Sequence, residues 1–207
     1  MNSAWPPAER PVEESVRGRQ AVIEAAADHD VDVVVRALDD PDDRVRETAV
    51  VAAHELDVLD AAALAGASAD PSMRVRRAVA KSGATSLRVD LATLVEDTDP
   101  TVCETACWAA GERGADAAPL VAVVAAVATD HVDALCREAA VAALGAIGDD
   151  MGLPAILAAT NDRATVRRRA ILALAPFDTP EVAAALQRAL EDRDWQVRQA
   201  AEDLLEF

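Results

Sequence analysis

The sequence contains almost no lysine and few aromatic residues. Lys81 stands alone beside nineteen arginines, tyrosine is absent, and tryptophan and phenylalanine together supply five residues. Sheets favour β-branched and aromatic side chains, whereas alanine, valine and leucine supply most of the 52% of residues that are hydrophobic here. Such small side chains suit closely packed helices, so the composition favours an all-helical protein.

Basic residues are also scarce relative to acidic ones: 20 lysines and arginines stand against 37 aspartates and glutamates, so the formal net charge is −17. Nucleic acids and anionic membranes bind to basic surfaces, so we expect neither as a partner. Abundant acid with so little lysine is typical of proteins from salt-loving archaea, in which salt screens the self-repulsion of the surface. A GC-rich genome that favours arginine, alanine and aspartate codons is the alternative explanation.

Cysteine and long apolar segments are few as well. An odd set of three cysteines argues against a disulfide framework and fits a reducing cytoplasm. The longest apolar stretch, residues 117–128, is too short to span a bilayer. Residues 1–20 contain acidic side chains and no apolar run of a signal peptide. We therefore expect a soluble, cytoplasmic protein.

A short segment recurs along the chain at intervals of 27 to 34 residues. It begins at Val45, Val75, Val102, Cys136, Val166 and Val197, with a fainter copy at Val16. With that first residue as position 0, positions 0, 4, 7, 8 and 11 share one face of a helix. This face is apolar in the fourth copy, from Cys136 to Ile147, and in the fifth, from Val166 to Phe177. An acidic turn and another short apolar helix precede each copy, so the unit is a helix-turn-helix pair that must stack.

Turn and cap residues mark the boundaries of these pairs. Aspartates in the turns are predicted to cap the second helices: Asp40, Asp70, Asp99, Asp133, Asp162 and Asp194. Four glycines are predicted to lie where second helices stop: Gly111, Gly114, Gly145 and Gly148.

The order Asp-Pro, then Val-Arg, then Ala-x-x-Ala-Leu-Gly resembles HEAT repeats, and residues 136–148 match it best. It is most similar to the short HEAT-like repeats of phycobilisome lyases. The resemblance implies an all-α, right-handed α-solenoid of about six HEAT-like helix-turn-helix repeats, with an N-terminal cap helix near residues 12–27. We expect residues 12–207 to form a single repeat domain after a flexible N-terminal segment of residues 1–11.

Arginine follows position 0 in six copies, as Arg17, Arg46, Arg76, Arg137, Arg167 and Arg198, and only Cys103 interrupts the series. The resemblance implies that these arginines pair with turn acids along the stack, for which a bidentate guanidinium is well suited. Anion binding is the alternative.

Histidine and cysteine show no evident catalytic or metal-binding pattern. The three histidines are scattered, and Cys103, Cys107 and Cys136 have no evident fourth ligand for zinc. We expect the cysteines to be small buried packing residues, and we expect no metal and no cofactor. No nucleophile–base pair, phosphate-binding loop or paired catalytic carboxylates can be recognised. The chain is therefore not expected to be an enzyme.

Position 6 lies opposite the core face of each second helix, and the resemblance places second helices on the concave side of the solenoid. Apolar residues at this position, Val51, Trp108 and Leu172, are predicted to line a partner-binding groove. Charged residues at position 2, including Arg77, Glu104 and Arg168, would form its rim. An apolar strip around a tryptophan with polar edges is typical of interface hot spots. The alternative is that Trp108 packs between repeats.

The sequence thus predicts a non-catalytic protein-binding adaptor or scaffold that holds a protein partner on its concave face. Two alternatives remain open: a lyase-like or cofactor-attachment accessory enzyme, as the resemblance implies, and a structural subunit of a larger complex.

Overall fold

The computed structural model describes residues 11–206, and every regular element in that range is helical. A leading helix, α1 (Val12–Ala27), precedes six helix pairs, as the repeat pattern predicts. The prediction of an all-α repeat fold with a cap helix is therefore confirmed over these residues. Apart from Pro11, the predicted flexible segment of residues 1–11 lies outside the described residues.

In each pair the second helix is longer than the first. The first three pairs are α2 (Val31–Arg36) with α3 (Asp43–Glu55), α4 (Ala61–Ser68) with α5 (Met73–Ser82), and α6 (Leu91–Val95) with α7 (Pro100–Arg113). The last three are α8 (Val121–Asp130) with α9 (Ala134–Ile147), α10 (Leu153–Ala159) with α11 (Ala164–Ala173), and α12 (Pro180–Ala189) with α13 (Trp195–Leu205). Short 3₁₀ turns at Ala37–Asp39, Gly114–Leu120 and Asp150–Gly152 join some of them.

The chain divides into two compact units between Val79 and Ala80, inside α5. This point adjoins Gly83 at position 8, where the last three copies carry leucine. We describe each unit by itself, and the single domain of residues 12–207 stays a prediction.

The predicted core face is buried in the second unit. Positions 0, 4, 7, 8 and 11 of the fourth and fifth copies expose at most 7% of their surface: Cys136, Ala140, Ala143, Leu144, Ile147, Val166, Ala170, Ala173, Leu174 and Phe177. The 3.6-residue period of the sequence places these residues on one stripe of each helix, and burial of that stripe is the main driving force for packing the pairs together.

The turn aspartates have two structural roles: some cap helices, and others accept hydrogen bonds from the backbone of their own turn. Asp99, Asp133 and Asp194 are helix N-caps whose carboxylates accept from the backbone N–H two residues later. Asp40, Asp70 and Asp162 were also predicted as caps, and that prediction is wrong. Asp42 caps α3 instead of Asp40, and α11 begins after Arg163, without a side-chain cap. The three displaced aspartates face the turn backbone: each carboxylate accepts from an N–H of its own turn, on Asp42, Ser72 and Arg163 respectively.

Two of the four glycines end helices, as predicted. Gly114 and Gly148 follow α7 and α9 with φ of 54° and 70°, which few other residues adopt easily. Gly111 and Gly145 lie near the same ends but still inside the helices, two residues before Arg113 and Ile147. A Cβ on Gly145 would lie 2.7 Å from Cα and Cβ of Ala173, so this glycine lets α9 approach α11 closely.

The first helix of the third pair is shorter than its apolar sequence suggests. The apolar run from Leu87 predicts a helix up to Val95, yet α6 begins only at Leu91. Asp90 sets this start because its carboxylate accepts from the N–H of Ala92. Arg113 holds the preceding turn by donating to the carbonyls of Gly83, Ser86 and Val89.

Candidate functional site

Of the predicted partner-binding residues of the second unit, Trp108, Glu104 and Arg168 are exposed and Leu172 is half-buried. Trp108, Ala142 and Leu172 occupy position 6 on α7, α9 and α11, and α9 packs against both other helices. Trp108 is 45% exposed, and Ala142 and Leu172 are half-buried. We call these three residues the position-6 strip. A tryptophan exposed to this degree is far from the fully buried state that core packing would give it.

Acidic and basic side chains flank this strip. Glu104 and Arg168, both predicted rim residues, are exposed on α7 and α11. Glu138, on α9 between them, is half-buried and forms an ion pair with Arg169 over 3.5 Å. The flank is therefore mixed in charge, with carboxylates nearest to Trp108 along the sequence.

In the first unit, Val51 lines an open groove of about 590 Å³ between α1 and α3. Val51 is 41% exposed, and Ile23 on α1 is 51% exposed in the same groove. Glu47 lies in the groove lining and forms an ion pair over 3.9 Å with Arg77, the third predicted rim residue. The sequence pattern missed Ile23 because it placed Val22 at position 6 of the faint first copy, and Val22 is 2% exposed.

Away from these faces, arginines and turn aspartates form bidentate ion pairs between successive repeats. Nε and Nη2 of Arg46 donate to the two carboxylate oxygens of Asp70 over 2.8 and 2.9 Å. Arg137 and Asp162 repeat this geometry at 2.6 and 2.8 Å, and Arg167 and Asp192 at 2.8 and 2.7 Å. The predicted pairing with turn acids is thus confirmed for Arg46 in the first unit and for Arg137 and Arg167 in the second.

These pairs change the acidity of the aspartates. Hydrogen bonds from Arg137 and Arg167 hold the pKa values of Asp162 and Asp192 below the usual range, despite partial burial. At Asp70, burial acts to raise the pKa, but Arg46 and the N–H of Ser72 outweigh it and the pKa is lowered. The carboxylates are therefore held ionised by their partners.

One pair of the series is replaced by cysteine and histidine. Cys103 follows Val102 at position 1, the position of Arg46, Arg137 and Arg167 in their copies. His131 takes the place of the turn aspartate: Nδ1 accepts from the N–H of Asp133 over 3.1 Å, as the Asp40 carboxylate does from Asp42. The His131 carbonyl also accepts from Nη1 of Arg137, as the Asp40 carbonyl does from Arg46.

Cys136 completes this cluster. The sulfur atoms of Cys103 and Cys136 and a ring nitrogen of His131 all lie within 4.8 Å of one another. Both thiols are fully buried, and His131 is half-buried. The Cys136 thiol contacts the carbonyl of Pro100 at the start of α7 over 3.2 Å. We call Cys103, His131 and Cys136 the Cys–His cluster.

The environment of the cluster keeps its thiols protonated. The pKa of Cys103 lies far above its ordinary value, first because of its hydrogen bond with Cys107 and then because of burial. Burial, followed by the proximity of Cys103, raises the pKa of Cys136 to about 12. Such thiols are poor nucleophiles because the thiolate is the reactive form.

The burial predicted for the three cysteines is confirmed. The histidines are scattered in the sequence, but in the structure His131 lies beside two of the cysteines. Sequence spacing hid this contact because His131 and Cys103 are 28 residues apart and belong to different repeats. A comparison of the turns would have revealed it, since His131 stands in the register where other copies carry aspartate.

Part of the second unit matches a known family by sequence. The family model for HEAT repeats matches residues 121–206. This segment is therefore similar in sequence to HEAT repeats. A search among curated proteins finds no relative by sequence.

Solved structures extend the likeness of the HEAT-repeat fold to most of the chain. YibA of Escherichia coli has a TM-score of 0.62 at 17% identity, over 97% of this chain and 77% of YibA. The complex of CpcE and CpcF of phycocyanin lyase from Nostoc sp. PCC7120 has a TM-score of 0.55 at 21% identity, over 84% of this chain and 75% of that one. A designed armadillo repeat protein in complex with the peptide (KR)4 has a TM-score of 0.51 at 18% identity, over 91% and 84%. At these identities the likeness is one of fold.

Between residues 11 and 206, none of the helices combines the length and the apolar character needed to cross a membrane.

Proposed function

We propose that this protein is a non-catalytic scaffold that binds a segment of a protein partner on the exposed faces of its second helices. The observation that carries the proposal is the exposure of Trp108, 45% of whose surface is accessible in the middle of α7. Tryptophan is among the residues that contribute most at interface centres, and leaving so much of its apolar surface in water has a cost that partner binding removes.

The charge around the strip favours a partner segment of a particular kind. The chain carries a net charge of −17, and Glu104 lies exposed one turn before Trp108. The arginines of the ladder are neutralised by aspartates and do not offset this charge at the surface. A segment with one large apolar side chain flanked by arginine or lysine complements such a face. The designed repeat protein that holds the (KR)4 peptide shows that a similar fold can bind a basic chain.

The lyase-like alternative has no comparable support. Its basis is the likeness to the CpcE and CpcF complex, which at 21% identity concerns the fold. The two cysteines beside a histidine, Cys103 and Cys136, are fully buried, and their surroundings raise the pKa of each thiol rather than lower it. A nucleophilic thiol requires the opposite environment.

A selection of displayed peptides against the wild-type protein supplies probes for a direct test. A labelled peptide from the selection is titrated with the wild type, with Trp108→Ala and with Trp195→Ala. Trp195 is the matched control, since it is 64% exposed at the start of α13 and away from position 6. We expect Trp108→Ala to weaken binding about thirtyfold, or roughly 2 kcal/mol, and Trp195→Ala to change it by less than about twofold.

The selected sequences and their affinities also test the partner chemistry. Enrichment of arginine or lysine beside a large apolar residue supports the proposal, and binding should weaken with salt. Equal effects of the two tryptophan variants would contradict the proposed face, provided that circular dichroism shows both variants fully helical.

A further inference from the structure

Three residues that break the repeat pattern meet at one place in the second unit. Cys103 stands where its neighbouring copies carry arginine, His131 where they carry a turn aspartate, and Cys136 at position 0, which is valine in every other copy. Each change introduces a side chain that binds transition metals through sulfur or nitrogen. Three unrelated packing substitutions would not be expected to lie next to one another. Three ligands of one metal ion have to.

The distances suit a small cation with short bonds. Zinc binds thiolate sulfur at about 2.3 Å and imidazole nitrogen at about 2.0–2.1 Å, which places tetrahedral ligand atoms roughly 3.5–3.8 Å apart. The three ligand atoms already lie within 4.8 Å of one another. A shift of about 1 Å, within reach of side-chain rotation, would therefore bring them to bonding distance.

The charge of the bound state also suits this burial. Zn²⁺ displaces one proton from each thiol, so the cation and two thiolates sum to zero and the imidazole stays neutral. A neutral complex avoids the desolvation cost of a net charge beside thiols that are fully buried. Cu⁺ with the same two thiolates would leave one negative charge, so charge balance favours zinc.

We propose that Cys103, His131 and Cys136 bind a zinc ion, with a water molecule on the side of half-buried His131 as the fourth ligand, and that this site takes the place of one Arg–Asp ion pair. Elsewhere that pair joins the second helix of one repeat to the turn before the next second helix, as Arg137 and Asp162 do. The zinc ion would make the same connection between α7, the turn at His131 and α9. The inference is independent of the proposed partner binding, since it concerns residues buried away from the position-6 strip.

The test measures zinc directly in the full-length protein purified under reducing conditions without chelator. Elemental analysis should find about one zinc per chain. After the metal is removed, titration with Zn²⁺ should raise the melting temperature, because a ligand that binds only the folded state stabilises it. Titration with Co²⁺ should give a sulfur-to-cobalt charge-transfer band and the visible bands of a tetrahedral site.

Two variants remove ligands while restoring the repeat pattern, so both should fold. Cys136→Val returns the valine of the other copies, and the double variant Cys103→Arg with His131→Asp returns an Arg–Asp pair. In each, bound zinc should fall from about one per chain to about none, and zinc should no longer raise the melting temperature. Cys107→Ala is the control: it removes the third buried thiol, which hydrogen-bonds with Cys103 but is not one of the three ligands, and this variant should keep its zinc.

Several results would overturn the proposal. One is a wild-type protein that takes up no zinc from solution while its thiols are reduced. Another is unchanged zinc binding in both repeat-restoring variants, or loss of zinc from Cys107→Ala. Binding of Cu⁺ without binding of Zn²⁺ would contradict the charge argument.

Discussion

The Cys103 thiol and the His131 ring occupy the two positions that Arg137 and Asp162 hold in the next repeat. Both members of an ion pair have thus changed together, although 28 residues separate them in sequence. If only one member of the Arg–Asp pair were replaced, the other member would be left without its hydrogen-bond partner, which costs about 1–3 kcal/mol for a buried group. The joint change leaves a cluster of metal ligands at a point where the fold requires a connection between repeats.

The close approach of α9 and α11 predicts opposite effects of alanine at two glycines. Gly145→Ala should destabilise the protein by about 1–3 kcal/mol, because the new Cβ would lie 2.7 Å from Ala173. Gly66→Ala is the matched control: it lies within α4 with no atom within 4 Å of the new Cβ. That variant should gain roughly 0.5–1 kcal/mol from helix propensity. Urea unfolding of both variants measures the difference, and stabilisation by Gly145→Ala would contradict the packing described.

The ion pair between Arg167 and Asp192 predicts a loss of stability in acid. Arg167 lowers the pKa of the Asp192 carboxyl in the folded state. In the unfolded chain the pKa of an aspartate is about 3.9, so the unfolded state binds the proton more tightly. The stabilisation is therefore complete above about pH 4 and is lost as the pH falls through the folded value. Arg167→Ala should be about 1–3 kcal/mol less stable than wild type near neutral pH.

Urea unfolding of wild type and Arg167→Ala from neutral pH to about pH 2 measures that effect. The difference between the two proteins should narrow in acid, and Arg188→Ala, which alters an exposed arginine at the end of α12, should show little difference throughout. A difference that stays constant with pH would exclude Asp192 as the partner responsible.

The net charge of −17 predicts that salt stabilises the fold. Mobile ions shorten the Debye length from about 10 Å at 0.1 M to about 3 Å at 1 M, which screens repulsion among the surface carboxylates. The melting temperature should therefore rise from low to molar salt. A melting temperature that is unchanged or falls would favour a GC-rich genome as the reason for the composition.

The sequence predicted the parts of this fold that depend on local periodicity. Cys136 to Ile147 lie on one buried stripe because a helix repeats every 3.6 residues, and Asp99 caps α7 because an aspartate there satisfies free N–H groups. The boundaries of α6 and the two roles of the turn aspartates were mispredicted. The start of α6 depends on which residue of the turn caps it, and Asp90 does so. At Asp70 and Asp162 an arginine of the preceding repeat binds the carboxylate, and that contact is not local.

The candidate sites divide in the same way. Val51 and Trp108 are exposed where helical periodicity places them, whereas Ile23 was missed because the first copy is faint and its register is shifted by one residue. The Cys–His cluster joins residues of two repeats, so no spacing within one helix could reveal it. The sequence did show that Cys103 interrupts the arginine series, so it indicated which repeat differs. It did not indicate that His131 and Cys136 lie beside Cys103.

The environment of Trp108 tests the proposed function most directly. In a protein with Trp5→Phe and Trp195→Phe, Trp108 is the remaining tryptophan, and its fluorescence reports that side chain alone. Because 45% of its surface is exposed, its emission should shift to shorter wavelength and saturate as a selected peptide binds, with the same midpoint as the label on the peptide. If the peptide saturates the protein and the emission of Trp108 stays unchanged, the partner binds elsewhere and the proposed face is wrong.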